Sequence, residues 1–397
     1  MIIELKGVEF ENKGAELMLR GILQRIEAYW PEADIALTPS AKASFHQRTS
    51  VGAWQKLSAR KLYLDVNGLT YHLPIKFRRY LKKWGVVTEA DVDVVIDASG
   101  FSYSDQWSPK MSIRHLSGEI ERNAAHGKPY IFMPQAMGPF SDKKVREQIK
   151  QSFPKAALVC AREVDTYQYI HNITGDFTSL HQFGDFTNAV KGTLPEGFDV
   201  SQPLACIVPN KNMVNPRNKN KQWLESYEST LLHAVHIYRE RGLTPFFLNH
   251  EGMEDRALID KLNQQLDQPL MVVEETDPLH VKGIIAASSA VLCSRFHGCI
   301  SALSNGIACI STSWSHKYER LHEDYQAEAF LLSPDVTPEQ LEALIDKSLH
   351  VESEAHNVIK ERAAQFKQDT EVLWSKVKQI IDARANQLGH SCVATDF

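Results

Sequence analysis

Short apolar runs alternate along this chain with longer stretches in which apolar residues recur every three or four positions. The runs at 2–10, 92–98, 130–133 and 157–160 predict strands, and the periodic stretches at 15–30, 112–126 and 143–152 predict amphipathic helices between them. A second series follows, with strands predicted at 204–208, 245–248, 271–273, 291–293 and 307–311 and helical segments such as 222–241. Strands joined through helices are the pattern of parallel sheets built from crossover connections. Between the two series, 191–203 is dense in Gly, Pro and polar residues and reads as a linker and hinge. The expected fold is therefore α/β, with two doubly wound Rossmann-like domains, 1–195 and 203–350, facing a cleft. Residues 351–397 are polar with helical apolar spacing, and long helices packing back on the first domain are expected there.

Composition narrows the choice little. A length of 397 residues suffices for two ordinary domains, each with its own core. A formal charge of -5 gives no general basic surface, which argues against a broad nucleic-acid footprint and leaves any anionic substrate to a local basic pocket. Cys160, Cys206, Cys293, Cys299, Cys309 and Cys392 show neither disulfide-frame nor zinc spacing and read as free thiols. Residues 1–10 alternate without a cationic leader, and the longest apolar stretch is too short to span a bilayer, so a cytoplasmic protein is expected.

The chemistry concentrates in Ser294-Arg295-Phe296-His297-Gly298, where an apolar strand gives way to a helix. The N-H groups and positive dipole end of such a helix favour phosphate or carboxylate, Ser294 is placed to cap it, and Arg295 adds a two-pronged donor. An Arg and a His at an otherwise apolar junction point to an anionic ligand. Asn12, Lys13 and Gly14 lie at another strand-to-helix turn, a candidate loop for phosphate or acceptor sugar. Asp97, His250 and Glu251 stand at strand ends and are candidate catalytic groups. Asp91 and Asp93 form a D-x-D at a strand start, and the spacing around His250-Glu251 is wrong for H-E-x-x-H, so no metal site is expected. Asp185 is expected to order the junction between domains.

Four segments in order, Glu11 to Met18, Met133 to Pro139, Cys160-Ala161-Arg162-Glu163 and the Ser294 to Gly298 run, resemble the polysaccharide pyruvyltransferases. The resemblance implies a two-domain fold akin to the GT-B glycosyltransferases. It implies that Arg162, Arg295, Phe296 and His297 bind phosphoenolpyruvate, whose pyruvyl unit passes to two hydroxyls of a sugar in a polysaccharide or its precursor. His297 is then either the acid or a phosphate ligand. Phosphoenolpyruvate is a co-substrate, and no cofactor or metal is expected. One departure is 94–103, where a single glycine, Gly100, stands in place of the glycine run of many relatives and alters the acceptor side. The competing readings are a nucleotide-sugar glycosyltransferase and a non-catalytic module for anionic glycans.

One charge cluster remains, Lys76-Phe77-Arg78-Arg79-Tyr80-Leu81-Lys82-Lys83-Trp84. Helical spacing puts Phe77, Tyr80, Leu81 and Trp84 on one face. That face suits either a membrane surface at the inner leaflet or an ordinary core contact.

Overall fold

The computed structural model describes residues 1–389 apart from 62, 63, 106–108, 217, 219, 314 and 316; Cys392 lies outside the described residues. The chain separates into two compact units. The first comprises Met1–Phe10, Met18–Phe186 and the chain from Asp369 onward, and the second comprises Glu11–Leu17 and Thr187–Gln368.

The sheet of the first unit runs Leu180–Gln182, Leu158–Ala161, Tyr130–Gln135, Val94–Asp97, Ile2–Lys6, Asp34–Leu37, Trp54–Lys56, Val86–Val87. All neighbours are parallel. The four predicted strands are neighbours in it; three of them are largely apolar runs, as strands covered on both faces are, while Ile2–Lys6 carries the buried Glu4, which pairs with Lys56 at 2.8 Å. The other four escape the pattern because they are two to four residues long, and three of them carry polar side chains, as in Trp54-Gln55-Lys56 and Leu180-His181-Gln182. From Asp369 the long helix Glu354–Gln387 clusters with this unit. There Trp374 meets Phe186 edge to face at 6.3 Å, and Asp382 accepts from the Trp30 indole at 2.8 Å.

The sheet of the second unit runs Val272–Glu274, Thr244–Asn249, Leu204–Val208, Ala290–Cys293, Cys309–Ser311, again entirely parallel. Its order reverses between Leu204–Val208 and Ala290–Cys293. In doubly wound sheets, ligands bind beyond the carboxyl ends of the strands at such a reversal. Both strands are fully buried, and their five and four apolar residues carry no polar side chain.

The breaker-rich 191–203 segment is not the free hinge that composition suggests. The boundary lies earlier, at Phe186 and Thr187. Gly192 packs against Gly283 so closely that a Cβ on Gly192 would overlap the backbone of Gly283, and one on Gly283 would overlap the Thr193 carbonyl. The Thr193 N-H donates to Leu279 at 3.0 Å, and Phe198 packs on the core beside Phe246. The glycines thus serve close approach rather than motion.

Candidate active site

In the second unit the strand Ala290–Cys293 is followed by the helix Phe296–Leu303, whose residues are buried except for half-buried His297. A helix buried on nearly every side is held by its surroundings, and only Arg295 and His297 open outward from the turn. Ser294 does not cap the helix as expected. It is fully buried, its hydroxyl accepts from Tyr227 at 2.7 Å and Thr312 at 2.8 Å, and its carbonyl accepts from Asn210 and Tyr318, each at 2.8 Å. The cap position falls to Arg295, with no side-chain hydrogen bond to the first turn. The backbone is thus pinned from behind while its front is left to the helix end.

Arg295 carries two carboxylates. Asp255, fully buried, accepts from Nε at 2.8 Å and Nη2 at 2.5 Å, and Glu251 accepts from Nη1. Asp255 also accepts from the Lys211 N-H at 3.0 Å, so one carboxylate ties together the ends of three neighbouring strands. Burial pushes the Asp255 carboxyl up, and Arg295 opposes that rise. Burial would lower the Arg295 guanidinium, but Asp255 and Glu251 outweigh it and hold it charged. This partner was legible in one respect. Asp255, Leu258, Ile259 and Leu262 form the buried stripe of the helix Gly252–Asn263, and an acid on such a stripe requires a cation.

Glu251, proposed from sequence as a base or acceptor ligand, is the more exposed of the two carboxylates, with 32% of its side chain open. Its Oε1 accepts from Asn12 Nδ2 at 2.9 Å. Asn12 at the same time accepts from the N-H groups of Gly14 at 3.0 Å and Ala15 at 3.2 Å, so it caps the helix Lys13–Tyr29 and joins that cap to the Arg295 cluster. These N-H groups are therefore not left to a phosphate as the sequence suggested. Lys13 reaches Glu16 at 2.8 Å and the Thr276 carbonyl at 2.5 Å. Gly14 packs flat on His297, since a Cβ there would overlap the imidazole. Phe296 is buried and stands edge-on to both His297 and Tyr318, at 5.5 and 5.8 Å, which orients the imidazole from the other side.

His250 completes the cluster, its ring edge 3.6 Å from where a Gly298 Cβ would stand. Burial, and then Arg295, His297 and Lys13, push its imidazole down to about 3. At neutral pH it is an uncharged hydrogen-bonding group and not a stored proton. The unfolded chain takes up this proton near the ordinary value of 6.5 and the folded one only near 3. Stability from this residue is therefore fully present above about pH 6.5 and is lost as pH falls towards 3, by at most about 1.4 kcal/mol per pH unit. Denaturant titrations at several pH values should show that acid slope flattened in His250→Gln; an unchanged slope would assign it to other groups.

The two remaining candidates lie in the first unit. Arg162, at the end of Leu158–Ala161, pairs with Asp185 at 3.4 Å. Asp97 is fully buried and accepts from Tyr103 at 2.7 Å, Tyr130 at 2.6 Å, and the hydroxyl and N-H of Ser99 at 2.5 and 3.1 Å. With its oxygens accepting from four donors it holds the strand end in place. Asp91 pairs with Arg78, and Asp93 accepts from the Ile2 N-H. Among the described residues, no group of three or more His, Cys, Asp or Glu is arranged to hold a metal ion.

Compared with known proteins, residues 12–316 match the family described as polysaccharide pyruvyl transferase. The chain belongs to that family. The match covers the Asn12 cap, His250, Glu251 and Asp255, and the Arg295 to Gly298 turn, so the whole cluster of the second unit falls within it. No curated protein matches this pyruvyl transferase in sequence. Solved structures share its fold. The UDP-GlcNAc 2-epimerase from Neisseria meningitidis aligns with a TM-score of 0.58 at 10% identity, covering 96% of this chain and 100% of that one. The UDP-GlcNAc 2-epimerase from Methanocaldococcus jannaschii gives 0.57 at 10% identity over 94% and 99%, and Anabaena HepE in complex with UDP-glucose gives 0.51 at 12% over 97% and 99%. At such identity these likenesses concern the fold alone.

Proposed function

We propose that this pyruvyl transferase takes the pyruvyl unit of phosphoenolpyruvate and joins it as a ketal to two hydroxyls of one sugar in a polysaccharide or its precursor. The observation that carries this reading is the gathering of Arg295, His297 and neutral His250 around one helix start at the strand reversal of the second unit. Phosphoenolpyruvate offers a carboxylate and a phosphate to these groups. Asp255 is buried and holds the guanidinium in place, whereas Glu251 is the partner a donor anion displaces. Glu251, once displaced, is a base beside the reacting centre.

The chemistry balances as follows. An acid protonates the methylene carbon, leaving an oxocarbenium-like centre at C2. One sugar hydroxyl adds there, its proton passing to a base; the C-O bond to phosphate breaks, and the second hydroxyl closes the ring while phosphate carries the remaining proton away. Cations at the leaving phosphate supply the electrostatic stabilisation, and an imidazole and a carboxylate the proton transfers. His297 serves as acid or as phosphate ligand. His250 gains proton affinity when an anion binds beside it.

The test is thermal stabilisation by phosphoenolpyruvate against UDP-sugars, with phosphate release followed in the presence of acceptor glycans. Stabilisation by phosphoenolpyruvate and phosphate release that survive a chelator are expected, because arginine and imidazole take the place of a metal at the phosphate. Stabilisation by a UDP-sugar alone, or activity restored only by a divalent cation, would favour the nucleotide-sugar reading.

A further inference from the structure

The helix Ile75–Lys82 has no buried residue. Its inner side is made by Arg78, Leu81 and Lys82, all half-buried, with Arg78 on Asp91 at 2.8 Å and Lys82 at 4.0 Å from the same carboxylate. Everything else points to solvent. At 100° per residue, Lys76, Arg79 and Lys83 fall on one flank of the exposed side and Tyr80, Trp84 and Phe77 on the other, so the cations and the aromatics form two adjoining bands. Trp84 is 71% exposed, Tyr80 53% and Phe77 48%. The core-contact reading of this apolar face is thereby corrected, for only Leu81 turns inward. Leu64 and Leu69, in the preceding stretch, are exposed as well. From residue 66 to residue 88 there is no Asp or Glu, in a chain whose formal charge is -5.

We infer that this surface of the first unit docks on an anionic lipid bilayer. Large aromatic side chains beside exposed cations match the interfacial zone, where rings enter the headgroup boundary and ammonium or guanidinium groups meet lipid phosphates. Charge complementarity selects this occupant over a second copy of the chain, since a two-fold contact would set these cations against themselves. It also selects it over nucleic acid, because three cations on a short helix neutralise few phosphates and leave the aromatic band without a partner. The inference is independent of the donor chemistry.

The experiment is flotation of the full chain with vesicles of phosphatidylcholine alone and with one third phosphatidylglycerol. Binding only to the anionic vesicles, weakened by salt, is expected. Each basic residue at such a surface contributes roughly five-fold in partition, so Lys76→Gln/Arg79→Gln/Lys83→Gln should lose on the order of a hundred-fold. Phe77→Ser/Tyr80→Ser/Trp84→Ser should lose at least about ten-fold by withdrawing the apolar anchor. All six positions are exposed, so unchanged melting temperatures will show that the fold survives. No binding to anionic vesicles at low salt, or parental binding by both triple variants, would overturn the inference. So would a concentration-dependent dimer, or capture of an oligonucleotide, abolished by these substitutions in a chain that ignores vesicles.

Discussion

Replacing Arg295 by Ala is expected to cost about 3–5 kcal/mol of stability as well as the donor site, because it leaves the buried Asp255 carboxylate without its cation. The two effects are separable. Asp255→Asn introduced together with Arg295→Ala removes the uncompensated charge, and most of the lost stability should return. Affinity for phosphoenolpyruvate should not return, since a charge-assisted contact worth about 1.5–3 kcal/mol is still missing. Denaturant unfolding and calorimetric titration of the parent and the two variants measure both quantities. Parental stability in Arg295→Ala would mean that Asp255 is satisfied by other groups, and parental donor affinity in the double variant would remove Arg295 from the donor site.

A single methyl group at Gly14 is expected to lower turnover by about a hundred-fold. Helix propensity alone predicts the opposite of harm, since Gly to Ala inside a helix gains about 1 kcal/mol. Here the added Cβ would overlap the His297 imidazole, so the ring or the first helical turn must move, and under the proposed role of His297 a displacement of about 1 Å costs rate on this scale. Overpacking should also cost about 1–3 kcal/mol of stability. The decisive comparison is a double-mutant cycle with His297→Ala, which removes the obstructing ring. In that background Gly14→Ala should become neutral or stabilising. If the two substitutions act additively on stability, Gly14 and His297 are not in the contact described.

The asymmetry between Asp255 and Glu251 explains how one arginine can be both preorganised and available. Asp255 lies on the buried stripe of its helix and takes a second donor from the Lys211 backbone, so its position is determined by packing. Glu251 sits at the helix cap, a third exposed, with Asn12 Nδ2 as a further hydrogen-bond partner. Exchange of the outer carboxylate for a ligand anion leaves the guanidinium oriented by the inner one. The same economy applies to His297, which Phe296 and Gly14 confine from two sides.

The alternation of central strands and helices is legible along the chain, because strands in the interior of a parallel sheet are buried on both faces and are mostly apolar. The sequence also marked Arg295 and His297, since two polar side chains at an apolar strand-to-helix junction stand out in any reading. What surrounds them is set by the folded chain. Asp255 is forty residues from Arg295 and Glu251 is 239 from Asn12, and no local pattern names a partner at that distance. Ser294 has the side chain of a cap yet bonds to Tyr227 and Thr312, because a buried hydroxyl is satisfied by whichever donors the folded core brings to it. Asp97 is enclosed by Tyr103, six residues on, and by Tyr130, 33 residues on, and the glycine that receives the 191–203 segment arrives from a distant part of the chain. Periodicity records which side of an element is apolar, whereas what that side touches is fixed by long-range packing. The exposed aromatics beside Lys76 and Lys83 show the difference, for nothing in their spacing distinguishes a core face from a face turned to solvent.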